Sequence, residues 1–185
     1  RALLPIKTGL DLLDCACSTM DDVVENFRND DASSRAIVAR AADETEVQEW
    51  LAAELKSRAN ARYHTHREPQ VASKKKPDIV MSGIAATHEI AIEIKHGNKG
   101  WTVRDLETAL TRQLAQQYLR PANRRHGLLV VTLHTPRTWR DPDTRKRVTF
   151  AALIERLQRV AATITRNQSG GIVVRVVGIN ATDSA

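Results

Sequence analysis

The sequence has little cysteine and no long apolar run. Cys15 and Cys17 are the only cysteines among 185 residues. They are too few for a four-ligand zinc site and too close together for an ordinary disulfide, so a reducing, cytoplasmic compartment is expected. No apolar stretch reaches about 18 residues, so no transmembrane helix and no membrane partner are predicted. The first residues do not have the pattern of a signal peptide, and the chain contains neither an internal repeat nor a low-complexity tract.

The chain also lacks an initial methionine, since it begins with Arg1. This start suggests a piece of a longer protein, although a cleaved leader would leave the same beginning. The length suggests one domain with an appended segment. Residues 1–36 are interpreted as an N-terminal helical extension or the end of an upstream domain, and residues 37–185 as the main domain. Within the first segment, the predictions are a helix over 10–15, a helix from 19 to about 27, and a linker over 29–34.

The charge balance is basic, with a net charge of +6 and a charged fraction of 27%. An apolar fraction of 42% is ordinary for a globular protein and is sufficient for a core. A basic surface favours polyanions, because phosphate binding releases counterions. A basic protein without a nucleic-acid partner has the same balance, so charge alone leaves both possibilities open.

The hydrophobic pattern predicts alternating strands and helices after residue 43. Apolar residues at helical spacing and alternating or continuous apolar runs define the elements. The predicted order is a helix over 44–59, strands over 63–68, 77–82 and 88–96, a helix over 103–119, a strand over 127–134, a polar loop over 136–147, a helix over 150–167 and a strand over 170–179. This α-β-β-β-α-β-α-β order indicates an α/β fold in which helices flank a mixed central sheet.

Three charged residues lie on two neighbouring predicted strands. Asp78 follows Pro77 at the start of one strand, and Glu93 and Lys95 lie within the next. Because side chains alternate along a strand, Glu93 and Lys95 share a face, opposite the face of the neighbouring isoleucines. If the two strands pair antiparallel, Asp78 comes to lie beside Glu93.

Two carboxylates and a lysine together have a chemical use. Mg²⁺ takes oxygen ligands, and Asp78, Glu93 and the Ile94 carbonyl can supply them. A bound metal neutralises a scissile phosphate and acidifies a water, and Lys95 can orient that water or stabilise the developing charge. The plain alternative is an ion pair between Glu93 and Lys95 on a solvated strand face, with Asp78 an ordinary strand-edge acid.

The Pro77-Asp78 and Glu93-Ile94-Lys95 motifs, with the element order around them, resemble the PD-(D/E)XK nuclease superfamily. The resemblance covers residues 44–134. It implies a restriction-endonuclease-like α-β-β-β-α-β core, to which the last helix and strand are added, with Asp78, Glu93 and Lys95 catalytic and Asp78 and Glu93 holding Mg²⁺ or Mn²⁺. It further implies nuclease activity, most commonly on DNA. The stretch from Thr45 to Leu119 looks most like nuclease domains fused to larger bacterial proteins, including NTPase-linked defence systems.

The same resemblance suggests two supporting residues. Many members of the superfamily add an acid from the helix before the first strand, and the candidates here are Glu46, Glu49 and Glu54. Glu46 is preferred because it lies at the margin of the buried face, whereas Glu49 points away from it and Glu54 can pair with a nearby arginine. In several branches of the superfamily, a glutamine on the helix after the third strand faces the site. Here that helix is predicted over 103–119, and Gln113 followed by a tyrosine five residues later resembles the arrangement.

Other polar stretches admit two interpretations each. Lys74, Lys75 and Lys76 can contact phosphates or form a solvated charge run. The loop over 136–147 and the stretch over 98–101 can bind nucleic acid or simply connect elements. His64 and His66 share a strand face and can form a metal site or an outer polar surface. The competing functions are a non-catalytic nucleic-acid-binding module and a dimeric Holliday-junction resolvase.

Overall fold

The structure is a computed structural model that describes residues 5–29, 34–67, 76–84, 87–168 and 170–182. The helices are α1 (Gly9–Asn29), α2 (Arg35–Arg40), α3 (Glu44–Ser57), α4 (Val103–Thr108), which continues as a π-helical segment (Ala109–Tyr118), and α5 (Phe150–Asn167). The strands are β1 (Tyr63–Arg67), β2 (Ile79–Gly83), β3 (Glu89–His96), β4 (His126–Leu133), β5 (Trp139–Arg140), β6 (Arg147–Val148) and β7 (Val173–Asn180).

A five-stranded mixed sheet organises the fold, in the order β1-β2-β3-β4-β7. The β1-β2 and β2-β3 pairs are antiparallel, whereas the β3-β4 and β4-β7 pairs are parallel. Strands β3 and β4 lie inside the sheet and are buried on both faces, which explains their nearly continuous apolar sequence. The predicted α/β class with a mixed sheet and flanking helices is confirmed.

The two faces of the sheet carry separate apolar cores. On one face, Ile90, Ile92 and Ile94 pack with side chains of α1 and α3. On the other face, Ala91 packs with side chains of α4, its π-helical continuation and α5. This distribution confirms the predicted alternation along β3. It also assigns the face shared by Glu93 and Lys95 to the layer that contains the π-helical segment.

Helix α1 is one continuous helix, so the prediction of two short helices in this stretch was wrong. The residues between them keep a buried face, because Ala16 and Met20 continue the helical spacing of Leu12 and Leu13. The Thr19 hydroxyl donates to the Cys15 carbonyl, so that a polar residue is accommodated without a break. The boundary at residue 36 stays a prediction, but α1 on its N-terminal side shares the core of the sheet. Of the predicted linker, residues 30–33 lie outside the described residues.

The predicted helix over 103–119 is α-helical only in its first part. From Ala109 to Tyr118 it is a π-helix, and the Leu119 amide donates to the carbonyl of Leu114, five residues earlier. A stripe of large buried side chains recurs every four residues along it, at Leu106, Leu110, Leu114 and Tyr118. In an α-helix each such step turns the side chain by about 40° beyond a full turn. The wider π-helical turn reduces this drift and keeps the stripe against the sheet.

The predicted loop over 136–147 contains a small antiparallel hairpin formed by β5 and β6. Its turn is organised by the Asp141 side chain, which accepts from the amides of Asp143 and Thr144. Arg145 then adopts a left-handed conformation with φ of 62°. The periodicity of the sequence does not reveal this hairpin, because each strand has only two residues.

The outer edge of β7 is covered by side chains of α5. The Gln158 amide donates to the Val176 carbonyl at 3.3 Å, and the Thr165 hydroxyl accepts from the Val174 amide at 3.1 Å. These backbone groups face away from β4, the strand that pairs with β7. None of the helices in the described part of the chain is both long and apolar enough to cross a membrane.

Candidate active site

Strand pairing brings Asp78 to Glu93. Strands β2 and β3 pair antiparallel, as the sequence predicts, and Ile79 lies opposite Ile92. Continuing this register by one residue places Asp78 opposite Glu93. The Asp78 Oδ2 atom accepts a hydrogen bond of 2.7 Å from the Ile94 amide, which ties the carboxylate to β3. The first predicted site residue is therefore fixed beside the other two by the ladder itself.

Glu93 and Lys95 form a buried ion pair on the same face of β3. The Lys95 Nζ atom lies 2.8 Å from Glu93 Oε1. Asp78, Glu93 and Lys95 are only 6%, 4% and 5% exposed. The solvated ion pair considered as an alternative is thus not what the structure contains. A buried charge cluster costs desolvation free energy and is weak evidence for a stabilising role, so its position favours a function.

The pKa of one acid in the cluster, Glu93, is raised. Burial, and then the charge of Asp78, raises the pKa of Glu93 to about 7. Burial by itself lowers the pKa of Lys95, but the carboxylates of Glu93 and Glu44 outweigh it and the net direction is upward. The second oxygen of Glu93, Oε2, is buried and has no hydrogen-bond partner among the residues that the structure describes. The site therefore holds excess negative charge and an unsatisfied oxygen, both of which a cation would relieve.

The helix acid nearest this cluster is Glu44, in the first turn of α3. Its Oε2 atom lies 3.9 Å from Lys95 Nζ, and its Oε1 atom accepts from the His96 amide at 3.2 Å. Glu46, the acid preferred from the sequence, instead accepts at 2.7 Å from the amide of Ala42, before the helix. Glu44 was not among the sequence candidates, although an acid in a first helical turn is a common signal.

The other two helix acids form ion pairs away from the cluster. Glu49 pairs with Arg67 of β1 at 3.1 Å. Glu54 pairs with Arg58, four residues on in the same stretch, at 3.1 Å, as its spacing predicts. Neither contact involves Asp78, Glu93 or Lys95.

Gln48 of α3 binds the backbone of Asp78. Its side-chain amide donates to the backbone carbonyl of Asp78, and the residue is buried. Sequence reasoning missed this residue, but a signal was present. Gln48 precedes Leu51 by three positions and Leu55 by seven, and both leucines are fully buried. A glutamine at that spacing belongs to the apolar face of the helix and needs a buried partner.

The π-helical segment contributes Tyr118 to the surroundings of the carboxylates. Tyr118 is buried, and its pKa is raised by burial and then by the charges of Glu93 and Asp78. Gln113, the glutamine suggested by the sequence, is half-buried on the same segment, five residues earlier. Five residues is the hydrogen-bonding period of a π-helix, so these two residues lie on successive turns.

Trp101 and Gly97 shape the end of β3 beside the cluster. The Lys95 Nζ atom lies 4.7 Å from the centroid of the Trp101 ring, and the Trp101 indole donates to Glu44 Oε1 at 2.8 Å. Gly97 follows where β3 leaves the sheet. A side chain at Gly97 would collide with the Thr132 carbonyl, to which the Gly97 amide donates at 2.6 Å.

The histidines occupy two different environments. His96 and His134 stack with ring centroids 3.7 Å apart and bind the backbone of the segment around α2. Burial lowers the pKa of His134 to about 4, so it is neutral at physiological pH. His64 and His66 of β1 lie 6.2 Å apart. Of the three predicted phosphate-binding lysines, Lys74 and Lys75 lie outside the described residues, and Lys76 is half-buried just before Asp78.

The side chains that the cluster offers to a metal ion are two carboxylates rather than a larger set. Within the described ranges, no three His, Cys, Asp or Glu side chains come together as a metal-binding group. A third oxygen is available from the backbone. Continuing the β2-β3 register by two residues places Pro77 opposite Ile94, and proline has no N–H to donate to the Ile94 carbonyl. Together with Glu93 Oε2, which no described residue hydrogen-bonds, this oxygen-rich set fits Mg²⁺ or Mn²⁺.

Comparisons with family models, curated proteins and solved structures found no match to this chain.

Proposed function

We propose that the protein is a metal-dependent nuclease that hydrolyses phosphodiester bonds, with DNA as its substrate. The observation that carries the proposal is the buried cluster of Asp78, Glu93 and Lys95, in which the Glu93 Oε2 atom has no hydrogen-bond partner within the described part of the chain. A cluster kept only for stability would be expected to satisfy its buried oxygens. A site built to receive a divalent cation leaves them available.

Each residue of the cluster has a distinct task in this proposal. Asp78 and Glu93 would hold Mg²⁺ or Mn²⁺, with the Ile94 carbonyl as a third protein ligand. When bound, the metal supplies neutralisation of the phosphate and a water of lowered pKa. The Asp78 carboxylate is held in place by the Ile94 amide, and its backbone by Gln48, so the donor set is preorganised.

Lys95 acts as a fixed positive charge. Its pKa is raised, so it is protonated at neutral pH and donates hydrogen bonds rather than accepting a proton. Glu93, Glu44 and Trp101 hold its ammonium group from different elements. In this position Lys95 would orient the attacking water or stabilise charge that develops on the phosphate oxygens.

The element order supports a finer assignment of the fold. Helix α3, strands β1 to β3, helix α4 and strand β4 follow one another as in a restriction-endonuclease-like core, with α5 and β7 added at the end. The proposal therefore includes membership of the PD-(D/E)XK superfamily, and a role as effector domain of a larger bacterial protein of the defence type. This part rests on topology and on the two short motifs.

Cleavage of defined DNA substrates tests the proposal. Supercoiled plasmid, linear duplex and single-stranded DNA are incubated with the protein in Mg²⁺, Mn²⁺, Ca²⁺ or EDTA. Nicking, linearisation or end-trimming is expected in Mg²⁺ or Mn²⁺ and should be absent in EDTA. Asp78→Asn should abolish cleavage. The matched control is Asp22→Asn, because Asp22 is an exposed acid on α1.

Two results would overturn the nuclease assignment. One is a wild-type protein that binds DNA but cleaves none of the substrates in either metal, which would favour the binding-module alternative. The other is cleavage that survives in Asp78→Asn at the rate of Asp22→Asn, since the activity would then arise elsewhere or from a contaminant. Selective cleavage of four-way junctions by a dimer would instead indicate a resolvase.

A further inference from the structure

The acids of the β5-β6 hairpin are paired with a helix residue, whereas its basic side chains are exposed. The carboxylates of Asp141 and Asp143 both bind Arg156 of α5, at 3.1 and 2.8 Å. Arg156 also binds Glu107 of α4 at 2.6 Å, which fastens the hairpin to two helices. The basic side chains of the hairpin are exposed, at Arg140, Arg145, Lys146 and Arg147.

Three of these arginines line a single recess. Arg140, Arg145, Arg147 and Thr138 surround a volume of about 390 Å³. The Arg147 guanidinium donates to the Thr138 hydroxyl at 2.9 Å, which orients one wall. In the described part of the chain, none of the three arginines forms an ion pair. Their like charges are therefore uncompensated, and they converge on a space large enough for an anion.

The hydrogen-bonding geometry of arginine favours phosphate as the anion in the recess. Guanidinium groups present planar pairs of N–H donors that match the oxygens of a phosphate, and a hydroxyl can add a further donor. Among the residues that the structure describes, no acid side chain lines the recess. Such a lining contacts phosphate oxygens and carries no information about base identity.

One tryptophan connects the base of the hairpin that carries the recess to the candidate active site. At the base of the hairpin, Arg137 donates to the Trp101 carbonyl at 3.1 Å, and the Trp139 indole donates to the same oxygen at 3.1 Å. The ring of Trp101 lies against Lys95. Arg137 also donates to the carbonyl of Gly97, at the end of β3. The hairpin and the catalytic strand therefore share their supports, which fixes the recess relative to the cluster.

We propose that the recess formed by Thr138, Arg140, Arg145 and Arg147 binds a backbone phosphate of duplex DNA flanking the bond that is cut. This inference rests on the proposed function, because the phosphate belongs to the same substrate. The hairpin positions the duplex, and the cluster at Asp78, Glu93 and Lys95 acts on another phosphate of the same duplex. The sequence left two interpretations for the loop over 136–147, a simple connection or a nucleic-acid contact. The proposal assigns it the nucleic-acid contact.

Equilibrium binding to a fluorescent duplex tests the recess. Binding is measured by anisotropy in Ca²⁺ between about 50 and 200 mM salt, in an Asp78→Asn background that prevents cleavage. The test variant is Arg140→Ala, Arg145→Asn and Arg147→Ala combined. Asparagine is chosen at 145 because it tolerates the left-handed backbone found there. The affinity of this triple variant for the duplex at about 50 mM salt should fall at least about tenfold. The slope of log affinity against log salt concentration should be smaller in magnitude by about one to three units.

Two control variants separate a phosphate contact from a general change in charge or fold. Arg166→Ala removes an exposed arginine in the last turn of α5, about 24 Å along that helix from its start beside the hairpin. It should leave affinity and slope unchanged. Replacing the three arginines with lysine keeps the charge, so the salt slope should return most of the way to the wild-type value.

Three results would overturn the recess: wild-type affinity in the triple variant, an equal loss in Arg166→Ala, or no binding of duplex DNA by the parent protein. Failure of the proposed function looks different. If the wild type does not cleave in Mg²⁺ or Mn²⁺ but the triple variant still loses DNA affinity, the nuclease assignment fails and the recess stands. If the wild type cleaves and the triple variant binds normally, the recess fails and the nuclease assignment stands.

Discussion

Replacing Glu93 with glutamine should stabilise the metal-free protein, by an amount that grows as the pH rises from about 4.5 to about 7. Glutamine keeps the shape of the side chain, and its oxygen can still accept from the Lys95 ammonium. It removes the negative charge that burial and Asp78 make unfavourable. A substitution inside a buried ion pair usually destabilises a protein, so a gain in stability is a discriminating outcome.

The magnitude follows from the pKa of Glu93. The pKa rises from 4.5 to about 7 on folding. At about 1.4 kcal/mol per pKa unit, ionising Glu93 in the folded state costs about 3 kcal/mol. Between these pH values the folded state retains a proton that the unfolded state has released, so stability falls as the pH rises. Glu93→Gln does not titrate, and its advantage over the wild type should grow from near zero below pH 4.5 to about 3 kcal/mol above pH 7.

Urea denaturation in EDTA at pH 5 and pH 8 measures this difference. With a urea dependence of about 2 kcal/mol per molar, the midpoint of Glu93→Gln should exceed that of the wild type by about 1.5 M at pH 8 and by little at pH 5. Millimolar Mn²⁺ should raise the wild-type midpoint by mass action and leave the variant unchanged. A difference between the proteins that is equal at both pH values, or a variant less stable at pH 8, would refute the reasoning.

Three further predictions concern cleavage and the supports of the site. Lys95→Ala should lower the cleavage rate by about 10²-fold or more with little change in DNA affinity in Ca²⁺, and a wild-type rate would remove the lysine from the mechanism. Glu44→Gln should reduce cleavage more than Glu46→Gln in parallel rate assays, because only Glu44 contacts Lys95, and the reverse order would contradict the site described above. Gly97→Ala should cost about 1–3 kcal/mol in urea denaturation, because its added carbon meets the Thr132 carbonyl, and unchanged stability would show that the close approach is unimportant.

The parts of the site that depend on local periodicity were predictable from the sequence. Alternation along β3 places Glu93 and Lys95 on one face, and the short connection between β2 and β3 makes antiparallel pairing the simple expectation. These two rules bring Asp78, Glu93 and Lys95 together without any knowledge of distant elements. The mixed sheet followed from the order of apolar runs for the same reason.

The helix acid was not predictable from a helical wheel, because a wheel does not show what lies beyond the end of a helix. Asp43 accepts from the Glu46 amide, and the Glu46 side chain turns back to Ala42, so N-terminal capping occupies Glu46. Glu44 instead contacts Lys95 and the His96 amide, at the last two residues of β3. The pairing of Asp43 with Glu46 was visible in the sequence and predicts the loss of Glu46 to capping. The arrival of Glu44 at Lys95 depends on tertiary packing.

The π-helical turn and the hairpin are the other features that local rules do not capture. The four-residue spacing from Leu106 to Tyr118 fits an α-helix in outline, and only packing against the sheet favours the wider turn. The hairpin is held by Arg156 of α5, which binds its two aspartates and also Glu107 of α4. Arg156 and Glu107 are far apart in the sequence. Interactions between residues distant in sequence decide both structures.

The covered outer edge of β7 has a consequence for self-association. An open edge strand can template the addition of another chain, and long exposed edges are sites of aggregation. Gln158 and Thr165 already occupy hydrogen-bonding groups on that side of β7, so an incoming strand would have to displace them. Growth of the sheet by strand addition is therefore directed to its other end, at β1. Chains in a crowded cell are thereby protected from polymerising through both edges of the sheet.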